Sequence, residues 1–238
     1  MSGPAVSRNT RPRQLALALG HAESLAREDF LGGPSNAAAL ALVESWPDWP
    51  APVVMLTGPE SSGKSHLAAI WATASGARVI AARALAETAP PMALATGALV
   101  IEDLGAGEFD EASLFHVLNL AREEGAFILL TARAPPAGWN VGLRDLASRL
   151  RALPVVALDP PDDALLRSVI VKLCADRQLA VDEAVVSYLT SRIERSIGAA
   201  RSAVALLDRE ALRQKRPVNR ALAAELFRDP GGLTKGTP

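Results

Sequence analysis

The first two thirds of the chain alternate short apolar runs with longer amphipathic segments. Four runs of five or six residues have the composition of buried strands: VVMLT (53–57), RVIAA (78–82), ALVIED (98–103) and AFILLT (126–131). A further run, PVVAL at 154–158, predicts the last strand. Helical patterns lie between the runs, HLAAIWATAS at 66–75 and DEASLFHVLNLAREEG at 110–125. Strands that alternate with helices are typical of a parallel sheet covered on both faces. We therefore predict a three-layer α/β fold.

The segments that flank the predicted sheet are helical or irregular. SNAAALALVESW, which begins at Ser35, has a helical pattern that the prolines of WPDWPAP stop. After Asp159 the pattern is helical throughout, and Pro217 suits the first turn of a last helix. The organisation that we predict is a flexible arm at 1–13, an α/β domain at 25–159, a small all-helical domain at 160–228 and a flexible tail at 229–238.

Composition and charge narrow the class of protein. With 238 residues, 49% of them hydrophobic, the chain can bury a substantial core. A net charge of −1 and 4% aromatic residues argue against a strongly basic nucleic-acid binder and against a disordered acidic chain. The single cysteine, Cys174, lies in a helical pattern and indicates a reducing compartment. Because no run has the length and polarity of a signal peptide or a membrane span, we expect a soluble cytoplasmic protein.

Residues 58–65 read GPESSGKS and fit the phosphate-binding pattern G-x-x-x-x-G-K-[ST] at every fixed position. The pattern follows an apolar run and opens a helix, which is the context of a P-loop. Backbone amides of such a loop approach phosphate oxygens, Lys64 adds a full positive charge, and the Ser65 hydroxyl can ligate Mg²⁺. A tight turn that contains a lysine by chance is the alternative, and the context argues against it. The pattern assigns nucleotide binding to Gly58, Pro59, Glu60, Ser61, Ser62, Gly63, Lys64 and Ser65.

Polar side chains follow two of the predicted strands. P-loop proteins need a carboxylate on a neighbouring strand to hold Mg²⁺ and its waters. Glu102 and Asp103 end the run ALVIED, at the edge of the sheet where ligands of open α/β folds gather. Thr131 ends the run FILLT and is a candidate for contacting the γ-phosphate or positioning water. Solvated turn carboxylates and a structural threonine are the alternatives.

The P-loop, the acidic strand end, the polar strand end and the trailing helical part follow one another as in the AAA+ ATPases, which the chain resembles. Within that group it resembles the DnaA family of bacterial replication initiators, which includes the short regulatory Hda branch. FLGGPSNAAALALV (30–43) resembles the entry to the nucleotide pocket, and His66 is typical of initiators and helicase loaders. ILLTARAPPAGW resembles the sensor-1 segment, and GLRDLASRL resembles the segment that presents an arginine finger, here Arg149. The resemblance covers roughly residues 14–227. It implies a P-loop AAA+ domain followed by a helical lid domain, with ADP or ATP and Mg²⁺ as ligands.

Two features are similar to the Hda branch rather than to DnaA itself. The chain ends soon after the lid, which leaves no room for the helix-turn-helix DNA-binding domain that DnaA carries. Residues 14–19 read QLALAL and resemble the peptide by which Hda-type regulators attach to the DNA polymerase III β sliding clamp. An arm could present the glutamine to a polar rim and the leucines to an apolar pocket. The resemblance assigns clamp contacts to Gln14, Leu15, Leu17 and Leu19. The alternative is an extended apolar segment that docks on its own domain.

The resemblance implies a negative regulator of DNA replication initiation. Such a regulator binds the sliding clamp and directs Arg149 at the ATP held by DnaA, whose hydrolysis it stimulates in trans. DnaA and the clamp are the implied partners, DNA is reached only through the clamp, and a homo-oligomer is compatible with the family. The expected location is the cytoplasm, at the replisome. For Arg149 the alternative is a surface cation or a salt bridge.

Departures from the family pattern predict that the chain's own ATP hydrolysis is slow or absent. Glu102 stands where the family has aspartate, and Ala134 stands where initiators commonly have arginine. A gapless match puts Gly198 at the position of the sensor-2 arginine. Arg201 lies three residues further on, shares a helix face with it, and is the candidate substitute for nucleotide binding. We expect ADP to be bound in the resting state of the protein.

Two other functions remain open at this point. A helicase-loader or transposition-helper ATPase of the same superfamily would turn over ATP itself and bind single-stranded DNA. A nucleotide-sensing adaptor would have no working arginine finger. Arginines also recur through the last helices, which suits either a track for DNA phosphates or a solvated face. Because acidic residues are interspersed among them, the solvated face is favoured.

Overall fold

The computed structural model describes residues 24–105, 107 and 109–228. Its centre is a five-stranded sheet in which every pairing is parallel. The strands are β1 (Val53–Thr57), β2 (Arg78–Ala81), β3 (Ala98–Leu104), β4 (Phe127–Ala132) and β5 (Val155–Ala157). Their order across the sheet is β2-β3-β4-β1-β5. The predicted fold class is confirmed: each apolar run of the sequence forms a strand of one parallel sheet.

Helices and short 3-10 turns connect the strands. The helices of this part are α1 (Ala37–Glu44), α2 (Lys64–Ser75), α3 (Pro90–Ala93), α4 (Glu111–Glu124) and α5 (Arg144–Ala152). The 3-10 turns are Arg27–Asp29, Ala82–Glu87 and Pro136–Gly138. The helical segments between β2 and β3 were not anticipated, because α3 is a single turn and is too short for a helical period to show in the sequence.

Successive residues of each strand point to opposite faces of the sheet and enter different cores. Ile128 and Leu130 of β4 pack with residues of α4 and α5, whereas Leu129 between them packs with residues of α1 and α2. All three side chains are fully buried. This two-sided burial explains why the strands read as continuous apolar runs rather than as alternating ones.

The last third of the described chain is helical and has a core of its own. It consists of α6 (Asp163–Asp176), α7 (Glu183–Thr190), α8 (Ile197–Gln214) and α9 (Arg220–Leu226). The inward-facing residues of all four helices form one apolar cluster, which includes Leu166, Leu189, Leu207 and Leu222. Cys174 is buried in it, and burial raises the pKa of its thiol to about 11.

Each helix of this part begins at a side-chain cap. Asp162, Asp182, Ser196 and Asn219 accept hydrogen bonds from backbone amides of the first turns of α6, α7, α8 and α9. The placement of Pro217 in the first turn of the last helix was wrong. Asn219 accepts from Leu222 N and the helix starts at Arg220, three residues after Pro217. Among the described helices, none has the length and apolar character needed to cross a membrane.

Candidate functional site

The loop between β1 and α2 adopts a conformation that depends on two glycines. Gly58 has φ of +155°, and a Cβ at this position would lie 2.5 Å from the carbonyl oxygen of Leu158. Gly63 has φ of +104° and immediately precedes α2. Residues other than glycine rarely adopt such backbone angles, and at Gly58 there is also no room for a side chain. The fixed glycines of the motif are therefore explained by the geometry of the turn.

Lys64 is held inside this loop. Its Nζ donates hydrogen bonds to the carbonyl oxygens of Gly58 and Pro59 at 2.8 and 2.7 Å, and the residue is 7% exposed. Burial lowers the pKa of this ammonium group, and the nearby charge of Asp103 opposes the shift. A buried cation whose partners are neutral carbonyl groups gains from an anionic ligand, because charge-assisted hydrogen bonds are the stronger ones. The loop is thus built to attract phosphate.

A cavity of about 610 Å³ opens beside the loop. Its walls come from the P-loop with the start of α2, the segment before α1, and helices α6 and α8. The ends of β3 and β4 add Asp103 and Arg133. Ser65, on the exposed edge of the loop, lines it together with Asp103 and Arg201. Its volume is in the range of pockets that bind cofactors and small molecules. The α/β part and the helical part meet at this cavity.

The ends of β3 and β4 place their polar residues differently from one another. The pairing register of β3 shifts between Ile101 and Leu104, and Asp103 has φ of +59°. This bend turns Asp103 to the cavity. The backbone N–H of Asp103 donates to Oγ1 of Thr131 at 3.1 Å. Thr131 itself is fully buried and lies outside the described cavity lining. Its hydroxyl therefore supports the strand bend that presents the carboxylate.

Two oxygen donors suited to magnesium line the cavity, the Ser65 hydroxyl and the Asp103 carboxylate. Glu102, the other predicted metal ligand, does not line it. Glu102 carries a buried Oε1 with no hydrogen-bond partner among the described residues. Because Mg²⁺ takes one or two carboxylates together with phosphate oxygens and waters, these residues fit it. The described part of the chain holds no cluster of three or more acidic, histidine or cysteine ligands. A nucleotide's phosphates would have to complete the coordination.

Arg133 is a cavity residue that the sequence reasoning missed. It lies just beyond β4 and pairs with Glu60 of the P-loop at 3.0 Å. Both side chains are 73% exposed, so this ion pair contributes little to stability. The pair nevertheless holds a guanidinium at the cavity wall beside the phosphate loop. A sequence signal was available, because Arg133 directly follows a predicted strand, at the edge of the sheet where ligands of open α/β folds gather.

The first turn of α8 lies against the P-loop. A Cβ on Gly198 would come within 2.6 Å of Oγ of Ser61, a P-loop residue with φ of +56°. Arg201 is one turn further along α8 and lines the cavity with Ile197. Arg195, just before the helix, instead forms an ion pair with Asp163 of α6 at 2.8 Å. Glycine at 198 thus lets the lid helix approach the phosphate loop closely.

The segment before α1 closes the opposite wall of the cavity. Asn36 is 6% exposed; its Oδ1 accepts from Gly33 N at 2.9 Å and its Nδ2 donates to the Leu31 carbonyl at 3.0 Å. The ring of His66 stands edge-on to Phe30 with 5.2 Å between centroids. His66 Nε2 is 2.9 Å from the carbonyl oxygen of Ala26. His66 lines the cavity and also anchors the entry segment to α2.

An ion triad joins the entry segment to the helical part. Lys172 of α6 contacts Asp29 at 2.7 Å and Asp176 at 2.8 Å. Burial lowers the pKa of Lys172, but hydrogen bonds to the two carboxylates outweigh it and leave the pKa raised. The hydrogen bond from Lys172 in turn lowers the pKa of Asp29. All three residues line the cavity, so the triad bridges its two walls.

Arg149 does not line the cavity. It is in the last turn of α5 and is half-buried. Its Nη1 donates to Oδ1 of Asn119 at 2.5 Å, and its guanidinium lies 4.8 Å from the ring centroid of Phe115. Both partners belong to α4. The residue is therefore not a free surface cation but is fixed to the neighbouring helix.

The remaining predicted residues fall into two groups. Gln14, Leu15, Leu17 and Leu19, the predicted clamp peptide, lie outside the described residues, as do the arm at 1–13 and the tail at 229–238. The arginines of the last helices are within the described part, and several of them pair with acidic neighbours, as Arg213 does with Glu210 and Arg216 with Glu225. Such pairing is typical of a solvated helical face of mixed charge.

Known structures share this arrangement. Domain III of the Thermotoga maritima replication initiation protein DnaA superposes with a TM-score of 0.71 at 20% sequence identity, over 86% of this chain and 96% of that one. AMPPCP-bound DnaA from Aquifex aeolicus gives 0.63 at 20% identity, over 79% and 68%. The Thermotoga maritima RuvB Holliday junction branch migration motor gives 0.67 at 17% identity, over 88% and 74%. No protein-family model and no curated protein matches the sequence. These likenesses show that the chain shares the fold of DnaA domain III and of the RuvB motor.

Proposed function

We propose that the chain is a nucleotide-binding AAA+ protein that holds ADP or ATP, with Mg²⁺, in the cavity between the P-loop and the lid. The observation that supports this most strongly is the buried Lys64 ammonium inside a glycine-dependent loop at the wall of that cavity. Ser65 and Asp103 supply oxygens for the metal, and Glu102, next to Asp103 in the chain, carries a buried carboxylate oxygen without a hydrogen-bond partner among the described residues. Arg201 and Arg133 add positive charge from the lid and from the end of β4.

We further propose that the protein is an Hda-type negative regulator of DnaA. In this proposal it attaches to the DNA polymerase III β sliding clamp through residues 14–19. Arg149 then acts on the ATP bound by DnaA, and hydrolysis leaves the initiator with ADP. The support from geometry is the separation of roles, because Arg149 lies away from the chain's own cavity and is held at a helix end. A finger that serves a partner's nucleotide requires such a position.

The chemistry of Arg149 follows from its charge and shape. A guanidinium placed against the transferring γ-phosphoryl group neutralises the charge that develops there, and such fingers supplied in trans raise turnover by ~10³–10⁵. Arginine suits this task because its planar fork of N–H donors matches phosphate oxygens. No proton transfer by Arg149 is needed, because a guanidinium acts here through its charge and its N–H donors.

The same proposal makes the chain's own hydrolysis slow. Glu102 replaces the usual aspartate by a longer side chain. Gly198, at the position matched to the sensor-2 arginine, has no room for a side chain beside Ser61. The Thr131 hydroxyl is engaged with the Asp103 backbone. Nucleotide would then serve to organise the two parts of the molecule around the cavity rather than to be consumed.

The decisive experiment measures turnover of ATP bound to DnaA, with clamp loaded on DNA. Wild type, Arg149→Ala and Gln14→Ala are compared, and Arg151→Ala is the matched control because Arg151 is an exposed residue of the same helix. Wild type and the control should accelerate turnover, and the other two variants should not. If the wild type leaves DnaA turnover unchanged while it hydrolyses ATP itself on single-stranded DNA, a helicase-loader or transposition-helper ATPase replaces the regulator.

A further inference from the structure

Three residues of α4 lie in one row beneath α5. Glu111, Phe115 and Asn119 are spaced four residues apart, so they share one face of the helix. Each of them contacts α5 or the residues that lead into it. The row therefore runs along the element that carries Arg149. Nothing in the nucleotide cavity requires these contacts, because none of the three residues lines it.

Glu111 anchors the beginning of α5. Its two carboxylate oxygens accept hydrogen bonds from the backbone amides of Gly142 and Leu143, at 2.9 and 2.8 Å. Leu143 is the cap position of α5 and provides no side-chain cap of its own. The carboxylate thus accepts from the N–H of the cap position, as the glutamate of a capping box does within one chain segment. Its negative charge also suits the amino end of a helix. The start of α5 is fixed relative to α4.

Phe115 and Asn119 hold the other end of α5 through Arg149. The ring of Phe115 packs against the guanidinium, with 4.8 Å between its centroid and Cζ. Asn119 Oδ1 accepts one hydrogen of Nη1 at 2.5 Å. Two contacts of different kinds define both the plane and the rotation of the guanidinium. These contacts use one face of the guanidinium and one of its N–H groups. The remaining N–H donors are left for phosphate oxygens.

From this row we infer that Glu111, Phe115 and Asn119 are positioning residues that set the Arg149 guanidinium for its action in trans, an inference that rests on the proposed function. A finger that is already oriented loses less side-chain freedom when it meets the partner's nucleotide. It also reaches the reacting group in one geometry, and misplacement by about 1 Å can cost ~10²-fold in rate. The row should therefore act on the rate of the chemical step rather than on docking.

The test is a rate measurement on DnaA-bound ATP, with clamp on DNA, as a function of the concentration of this protein. Asn119→Leu removes the acceptor at nearly unchanged volume and should lower the maximal turnover about tenfold or more. The half-saturating concentration should stay within about twofold of wild type, because docking is untouched. Asn119→Asp keeps an acceptor for the guanidinium and should restore most of the rate. A purely structural role for Asn119 predicts no such split between rate and half-saturation.

A second pair of variants guards against misfolding. Phe115→Trp keeps an aromatic face and should retain turnover, whereas Phe115→Leu should lose it in part. Glu124→Ala, on the exposed face of α4 opposite the row, is the control and should behave as wild type. All variants should bind the clamp and unfold at temperatures close to wild type. Variants that fail to bind the clamp would be replaced by Glu111→Gln, which keeps one acceptor oxygen of the anchor.

The outcomes separate the inference from the function on which it rests. If Arg149→Ala abolishes stimulation while Asn119→Leu and Phe115→Leu turn over DnaA-bound ATP at the wild-type rate, the row does not position the finger and the inference is overturned. If Asn119→Leu is faster than wild type, Asn119 restrains Arg149 instead, which overturns it as well. If Arg149→Ala stimulates fully, the proposed function itself fails and the inference falls with it.

Discussion

The cavity beside the P-loop and the surroundings of Arg149 differ in which parts of the chain build them. The cavity is assembled from distant parts of the chain, including the P-loop, the segment before α1 and the lid helices α6 and α8. The Arg149 face is assembled from α4 and α5, which lie close together in the chain. A cavity that spans two parts can respond when those parts move, whereas a row on one rigid helix keeps its geometry. The comparison suggests that the chain uses nucleotide to shape itself and Arg149 to act on another molecule.

The largest expected effect separates the two regions completely. Lys64→Ala should weaken ADP and ATP binding by about 100-fold, because the loop loses its only full charge buried within it. Arg149→Ala should leave this binding within about twofold of wild type while it removes stimulation of DnaA. Calorimetric titration of both variants with ADP and ATP checks the prediction. The division of roles would be refuted by an Arg149→Ala protein that no longer binds nucleotide.

The second prediction concerns the contact between lid and P-loop. Gly198→Ala places a Cβ against Ser61, and overpacking of this kind costs roughly 1–3 kcal/mol. Nucleotide affinity should fall about tenfold, since the cavity depends on the approach of α8. Ser61→Gly should rescue the variant, because it removes both atoms that the new Cβ meets and suits the positive φ at this position. Stimulation of DnaA at saturating nucleotide should be nearly unchanged, which again distinguishes the cavity from the Arg149 face.

A failure of the rescue would be informative. If Gly198→Ala and the double variant bind ADP equally weakly, the loss comes from the backbone of α8 and not from the Ser61 contact. If Gly198→Ala binds ADP as well as wild type, the lid does not need its close approach to the loop. In that case nucleotide binding would not depend on the approach of the lid to the P-loop.

The strands were readable from the sequence because each is a short apolar run buried on both faces. Val53–Thr57 coincides with its predicted run, and Ala98–Leu104 extends its own by one residue. The P-loop was readable because its glycines and lysine have fixed spacing. The orientation of Thr131 was not, because it follows from a register shift in β3 that brings the Asp103 amide to its hydroxyl. No local pattern encodes a contact that depends on how two strands are offset.

Contacts between side chains of different elements could not be predicted from the sequence either. Arg133 meets Glu60 and Gly198 meets Ser61 only after the chain has folded around the cavity. The partners of Arg149 could be guessed at best from the four-residue spacing of Glu111, Phe115 and Asn119, which is also the spacing of an ordinary buried face. Sequence patterns therefore predicted the loop around Lys64 more fully than the surroundings of Arg149.

The third prediction tests the assignment of Thr131 as a support rather than a phosphate contact. Thr131→Val keeps the shape but leaves the Asp103 amide without its acceptor, which should cost about 1 kcal/mol of stability. Thr131→Ser should be close to wild type, since it keeps the hydroxyl. ADP affinity, with no γ-phosphate, should fall for the valine variant as much as ATP affinity does. A loss confined to ATP would show that the hydroxyl contacts the γ-phosphate after all. Thermal unfolding and titrations with both nucleotides provide the measurement.

The smallest effect that we expect comes from the ion triad at the cavity wall. Lys172 lowers the pKa of Asp29 below its ordinary value of 3.8, so the stabilisation is present above that pH and is lost as pH falls through the lowered pKa. The pKa of Lys172 is raised above 10.5, so its part is present below that pH and is lost as pH rises through the raised pKa. Melting temperatures of wild type and Asp29→Asn should therefore differ by a constant amount at neutral pH and converge in acid. Glu28→Gln is the control, because Glu28 adjoins Asp29 in the same turn. A difference that persists in strong acid would mean that Asp29 acts by packing, and the bridge between the two walls would then not depend on charge.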